Sequence, residues 1–223
     1  MVTLGLIGAG VVPLNPEWLT RNILAVLVGL AIAYFSWVVI AGGLTSVERG
    51  GVAVIALLFV AAALFWAGYE QAGSSLNLFA ERSTQLRLAA LNWSIPAGWF
   101  QSVPPVFVIL FAPVAAAVWV GLGRRGKNPS LAVKMSFGLL LLAGGFAVIA
   151  LAAERAQGGT RVWPTWLIFT YLLHVFGELC VSPVGLSSVT KLAPPRLVGQ
   201  MMGVWFLAAS IGNLIAGRLA GEV

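Results

Sequence analysis

The 223-residue chain is 60% hydrophobic and only 9% charged, against about 25% charged residues in an ordinary soluble domain. A core of this length cannot hide so much apolar surface from water, so lipid is its solvent and the chain is read as an all-α integral membrane protein. The net charge of +6 falls between apolar runs, where basic residues hold topology rather than bind nucleic acid, and one Cys with one His excludes an internal disulfide and offers no metal-ligand set.

In chain order, residues 1–20 read as a linker segment. The apolar patch from Leu4 to Val12 lacks the basic region that opens a signal peptide. Six stretches then reach the roughly 20 apolar residues that a bilayer-spanning helix needs: about 21–43, 51–80, 91–121, 131–153, 163–190 and 199–220. Charged residues mark the breaks, as hairpin ends require. The 122–134 loop carries Arg124, Arg125, Lys127 and Lys134 with no acid, which assigns it to the cytoplasm. Alternation puts 44–50 and 191–198 on the same side, with 81–90 and 154–162 opposite.

The second stretch holds Glu70. Beyond it the sequence stays weakly polar, Gln71-Ala-Gly-Ser-Ser-Leu-Asn-Leu-Phe-Ala80, before Glu81 and Arg82. A helix continued through this run places Glu70 well inside the membrane and aligns Trp66, Glu70, Ser74 and Asn77 on one face. The third stretch is distorted by Pro96, Pro104, Pro105 and Pro113. Prolines at membrane depth survive where protein or a wet cavity satisfies the freed carbonyls; a packing kink is the plainer reading of any single one. At its end, Gly121-Leu-Gly-Arg-Arg-Gly-Lys127 imitates a phosphate-binding loop. The preceding element is a membrane helix rather than a strand, and Asn128 stands where a P-loop needs Ser or Thr, so nucleotide binding is rejected.

The fifth stretch holds Glu178, with His174 and Ser182 at i−4 and i+4 on its face and Pro183 just beyond. A carboxylate facing lipid is costly, so Glu70 and Glu178 should face the bundle interior or an aqueous cavity, where a carboxyl group can exchange a proton near neutral pH. An interhelical ion pair or hydrogen bond is the alternative for each. His174 reads equally well as a packed histidine or a proton relay.

Several segments resemble a known family. Phe65 to Arg82, Ile95-Pro-Ala-Gly-Trp-Phe-Gln-Ser-Val103, Gly177 to Pro194 and Met202-Gly-Val-Trp-Phe206 resemble the seventh, eighth, tenth and eleventh core helices of proton-dependent oligopeptide transporters, a branch of the major facilitator superfamily. The likeness runs from about residue 48 to the end. It implies an incomplete C-terminal helical bundle over 48–223, core helices seven to eleven. It also makes 21–43 one of the accessory helices that bacterial members place between their halves. The implied activity is symport of di- and tripeptides with protons across the cytoplasmic membrane, by a multi-pass protein needing no cofactor beyond the coupling proton.

By position, the resemblance makes Glu70 the proton-coupling carboxylate and Glu178 the group that binds the peptide amino terminus. Trp66, Tyr69, Ser182, Trp205 and Phe206 are implied as pocket residues. Tyr69 stands where Phe is commoner, and Pro104 where the family has an Asn that helps hold the peptide amine. Hydropathy alone makes six helices one whole half of a facilitator. The resemblance instead implies that the N-terminal half, the partner carrying cationic residues for the peptide carboxylate and for Glu70, and a twelfth core helix are missing, so that this chain alone would not transport. Three other readings stay open: a relative carrying nitrate, amino acids or another small solute; a membrane enzyme using the two glutamates as acid and base; and a non-functional gene fragment.

Overall fold

A backbone in hydrocarbon must satisfy its own polar groups, which for isolated apolar runs means helix. The computed structural model, which describes residues 16–88 and 92–221, contains six helical spans long and apolar enough to cross a membrane among those residues. The chain divides into two compact units, residues 1–44 and 45–223.

The first unit contains helix α1, Pro16–Ala41, about 39 Å long at 1.5 Å per residue. It begins earlier than the expected boundary at residue 21. Pro16 suits the first helical position, because the N–H it lacks would be unpaired there anyway. The rest of the expected linker, residues 1–15, lies outside the described residues.

The second unit begins with α2, Ser46–Tyr69, opened by a capping box: the Thr45 hydroxyl accepts from the Glu48 amide at 3.3 Å, and the Glu48 carboxylate accepts from the Thr45 amide at 2.9 Å. The expected continuous helix through residue 80 is not formed. A 3-10 turn, Glu70–Gly73, interrupts it, Ser74 takes φ −126° and ψ −97°, and α3 resumes over Ser75–Ser83. The third stretch also departs from expectation. An antiparallel ribbon pairs β1 (Arg87–Leu88) with β2 (Trp93–Ser94), and a 3-10 segment, Ala97–Ser102, leads into α4, Val103–Arg124. Thus Pro104 and Pro105 sit in the first turn of α4, where their missing amides cost nothing, and only Pro113 lies in its interior. Helices α5 (Leu131–Arg155), α6 (Thr165–Leu192) and α7 (Val198–Ala220) complete the unit, the last after a 3-10 turn at Pro195–Leu197.

Small residues set the closest crossings, as membrane helices require. At Gly138 of α5 a β-carbon would come within 2.9 Å of the Gly177 carbonyl of α6, and at Gly212 of α7 within 2.8 Å of the Ala63 carbonyl of α2. The Thr170 hydroxyl donates to the Gly145 carbonyl at 3.3 Å across the α5–α6 crossing. By contrast α4 buries only Pro104, leaving Val106, Ile109, Val114, Val118 and Val120 exposed.

Loop contacts match the expected alternation. Arg196 lies 3.9 Å from Glu48 at one end of the bundle. At the other end Gln85 donates to the Val162 carbonyl at 2.7 Å and Val162 to the Ser83 carbonyl at 2.9 Å. Beneath this second crossing Leu76, Phe100, Ile149, Leu167 and Tyr171 form a buried apolar cluster.

Candidate functional site

The helix break between α2 and α3 organises the site. Its local sequence, Glu70-Gln71-Ala72-Gly73-Ser74, supplies a small flexible residue and three polar ones. Gln71 is buried and ties the break down from both ends of its amide. Its Nε2 donates to the carbonyls of Ala67 (3.4 Å) and Ala216 (3.3 Å), and its Oε1 accepts from Ser75 (2.7 Å) and Ser74 (3.1 Å). Carbonyls at a membrane-depth break need such partners. The expected straight stripe of Trp66, Glu70, Ser74 and Asn77 is therefore broken: the 3-10 turn rotates the residues after Glu70 out of the α2 helical register.

The break opens onto a cleft of about 530 Å³. Tyr69, Glu70, Ala72 and Gly73 form one wall, Glu178 of α6 contributes its carboxyl group, and Gln101, Pro104, Pro105, Val108 and Ile109 form the opposite side. Both candidate carboxylates thus share one cavity. The Tyr69 hydroxyl lies near the Glu178 carboxyl group, whose Oε2 is buried without a hydrogen-bond partner. Tyr69 is held by stacking on Phe65 at 5.6 Å and by the edge of Trp66 at 5.3 Å.

Helix α6 stays intact through Pro183, so His174, Glu178 and Ser182 do share a face, as their spacing predicts. Their surroundings differ. His174 is 1% exposed, with Phe146 at 5.0 Å and Tyr69 at 6.5 Å between ring centroids. Both of its ring nitrogens are buried, and it does not reach the cleft. The Ser182 hydroxyl is likewise buried, unpartnered and off the cleft.

Trp66, Trp205 and Phe206, implied as pocket residues, do not line this cleft either. The Trp205 indole is buried against Gly185 of α6, where its ring occupies the space a β-carbon would take. Phe206 is 58% exposed. Adjacent helical residues point about 100° apart, so a buried Trp205 sends its neighbour outward.

Sequence reading passed over Gln71, Gln101, Val108 and Ile109. Gln101, Pro104, Pro105 and Val108 fit an i, i+3, i+4, i+7 pattern that marks one helical face, a signal hidden by treating the prolines only as kinks. The phosphate-loop lookalike is a helix end: amides of Arg125, Gly126 and Lys127 donate to carbonyls of Gly121, Gly123 and Leu122, which leaves them unavailable to a phosphate.

Known proteins share both this sequence and this arrangement of helices. The profile of the POT family (PTR2) matches residues 19–223. The peptide transporter YePEPT of Yersinia enterocolitica is 40% identical over 225 residues, covering 100% of this chain and 44% of the relative. Dipeptide and tripeptide permease A of Escherichia coli is 31% identical, over 92% of this chain and 41% of the relative. Among solved structures, a mutant of a peptide transporter POT in complex with alafosfalin superposes with a TM-score of 0.86 at 36% identity, covering 100% of this chain and 45% of that one. A POT family transporter in complex with 5-aminolevulinic acid gives 0.82 at 33% identity, covering 99% and 45%. The chain therefore spans less than half the length of these relatives. With the profile running through all six apolar helices, this integral membrane chain belongs to the POT family.

Proposed function

We propose that this chain forms one wall of the substrate pathway of a proton-coupled di- and tripeptide symporter in the cytoplasmic membrane. The observation that carries the reading is the shared cleft, in which Glu70 and Glu178 face one cavity and Glu178 keeps an unpartnered oxygen.

In this reading Glu178 binds the peptide ammonium. A carboxylate is the natural partner for that cation, and a low-dielectric cleft strengthens the pair. The Tyr69 hydroxyl orients the carboxyl group. Glu70 takes the coupling proton. It is the first residue of the helix break, where neutral and ionised forms can favour different arrangements of α2 and α3. His174 stands behind the cleft, 6.5 Å from Tyr69 between ring centroids, and in this reading any proton it relays passes by way of Tyr69. Phe206 belongs to the passage surface that a facing half completes, while Trp66, Ser182 and Trp205 support it from behind. Groups for the peptide carboxylate are assigned to the part of the relatives that this chain does not match.

In the full-length protein, Glu178→Ala is expected to abolish dipeptide binding and Glu70→Gln to uncouple uptake from the proton gradient. Normal dipeptide affinity in the first variant, or unchanged proton-driven uptake in the second, would refute the assigned roles. A second reading, transport of another small solute, is favoured by one feature. Pro104 lines the cleft, and its ring offers no side-chain group to bind an amine. Wild-type uptake of nitrate or an amino acid that dipeptides fail to inhibit would select it.

A further inference from the structure

Further along α4 from the cleft, a groove of about 250 Å³ runs between α4, α5 and α6, lined by Val114, Val118, Trp119, Phe137, Leu141 and Phe176, with Cys180 beside them. Its lining contains no charged residue. Toward the end of the bundle assigned to the cytoplasm it meets a second hollow of about 310 Å³, of opposite character, lined by Asn128, Lys134, Ser187, Ser188 and Lys191. Trp119 lines both. The Lys134 ammonium lies 4.6 Å from the centre of the Trp119 ring, and the indole Nε1 is buried with no acceptor. No acidic side chain lines either hollow.

We propose that this paired groove and hollow bind one anionic phospholipid of the cytoplasmic leaflet, its phosphate between Lys134 and Lys191 and one acyl chain along the groove. The order is that of a lipid: two cations and hydroxyls at the headgroup level, a tryptophan at the boundary, then uninterrupted apolar surface. Basic pockets between helices on the cytoplasmic side have the chemistry that holds such headgroups.

Dimensions agree. Along α6 the lining runs from Lys191 to Phe176, about 22 Å at 1.5 Å per residue, and one leaflet with its headgroups is half of about 40–45 Å. The groove extends about 8 Å along α4, from Val114 to Trp119.

The test is native mass spectrometry of the full-length protein, delipidated in neutral detergent and titrated with phosphatidylglycerol, phosphatidylcholine of matched chains, or glycerol 3-phosphate. Phosphatidylglycerol should be retained at least tenfold more tightly than phosphatidylcholine, and glycerol 3-phosphate should not displace it. At roughly fivefold per lysine near a headgroup, Lys134→Ala with Lys191→Ala should weaken phosphatidylglycerol binding about thirtyfold. Ala115→Phe, which fills the groove from a helix that buries little, should weaken it with both lysines intact. Either variant alone decides the matter if the other fails to fold. Equal retention of the two lipids, unchanged phosphatidylglycerol binding in a folded variant, or displacement by glycerol 3-phosphate overturns the proposal. The last outcome would mark a simple anion site.

Discussion

Replacing Gln71 by Ala tests whether the helix break at the cleft is held by one side chain. Gln71 makes four hydrogen bonds from a buried position, two to carbonyls on α2 and α7 and two from the hydroxyls of Ser74 and Ser75. Side-chain hydrogen bonds in a membrane protein average about 0.6 kcal/mol each in double-mutant cycles, so losing all four costs about 2.4 kcal/mol. Alanine recovers a few tenths through its helix propensity, for a net loss of about 2 kcal/mol, a roughly thirtyfold fall in the folded-to-unfolded ratio. Ser74→Ala removes only the 3.1 Å contact and should cost about 0.6 kcal/mol. Gln71→Leu removes the same four bonds while keeping most of the volume, so it should resemble Gln71→Ala. Reversible unfolding of the full-length protein in mixed micelles reads all three. If Gln71→Ala stays within about 0.5 kcal/mol of wild type, or is no worse than Ser74→Ala, the break is set by backbone packing rather than by the Gln71 amide.

The remaining predictions concern the supports around the cleft. Trp205→Ala should destabilise the bundle by about 3–5 kcal/mol, because it empties the space over Gly185, whereas Phe206→Ala, at an exposed site, should stay within about 0.5 kcal/mol and alter uptake if it changes function at all. Equal unfolding midpoints for the two variants would contradict the opposite placement of these neighbours. Thr45→Ala should lose about 1 kcal/mol by breaking the α2 capping box. Arg196→Ala, at the rim and 3.9 Å from Glu48, should cost less than about 1 kcal/mol; a larger loss than for the cap would mean that the pair, rather than the box, secures this end.

Much of the architecture was legible in the chain itself. Six apolar runs separated by charges determine six spanning helices, because hydrocarbon leaves an apolar segment no other way to pair its backbone. The i, i+4, i+8 spacing of His174, Glu178 and Ser182 survived because α6 stays helical past Pro183. The stripe through Trp66, Glu70, Ser74 and Asn77 did not, since helical periodicity presumes continuity and nothing local to Glu70 forbids it. The break is stabilised by the Ala216 carbonyl, 145 residues away from Gln71, a partner that no window of sequence contains. The same holds for the aromatics. Trp205 and Phe206 are adjacent in one motif, yet only the approach of Gly185 decides which of them is buried.

The solvent, the number of spans, the loops that share an end of the bundle and the two carboxylates too costly to leave in lipid were determined by the sequence by itself. Tertiary structure alone decided that these carboxylates share one cleft and that His174 stands apart from it. It also decided that α4 supplies the facing wall. Charge and hydropathy are properties of a segment, whereas a cavity is the space that separate segments fail to fill, and its walls come from residues 69–73, 101–109 and 178, brought together only by packing.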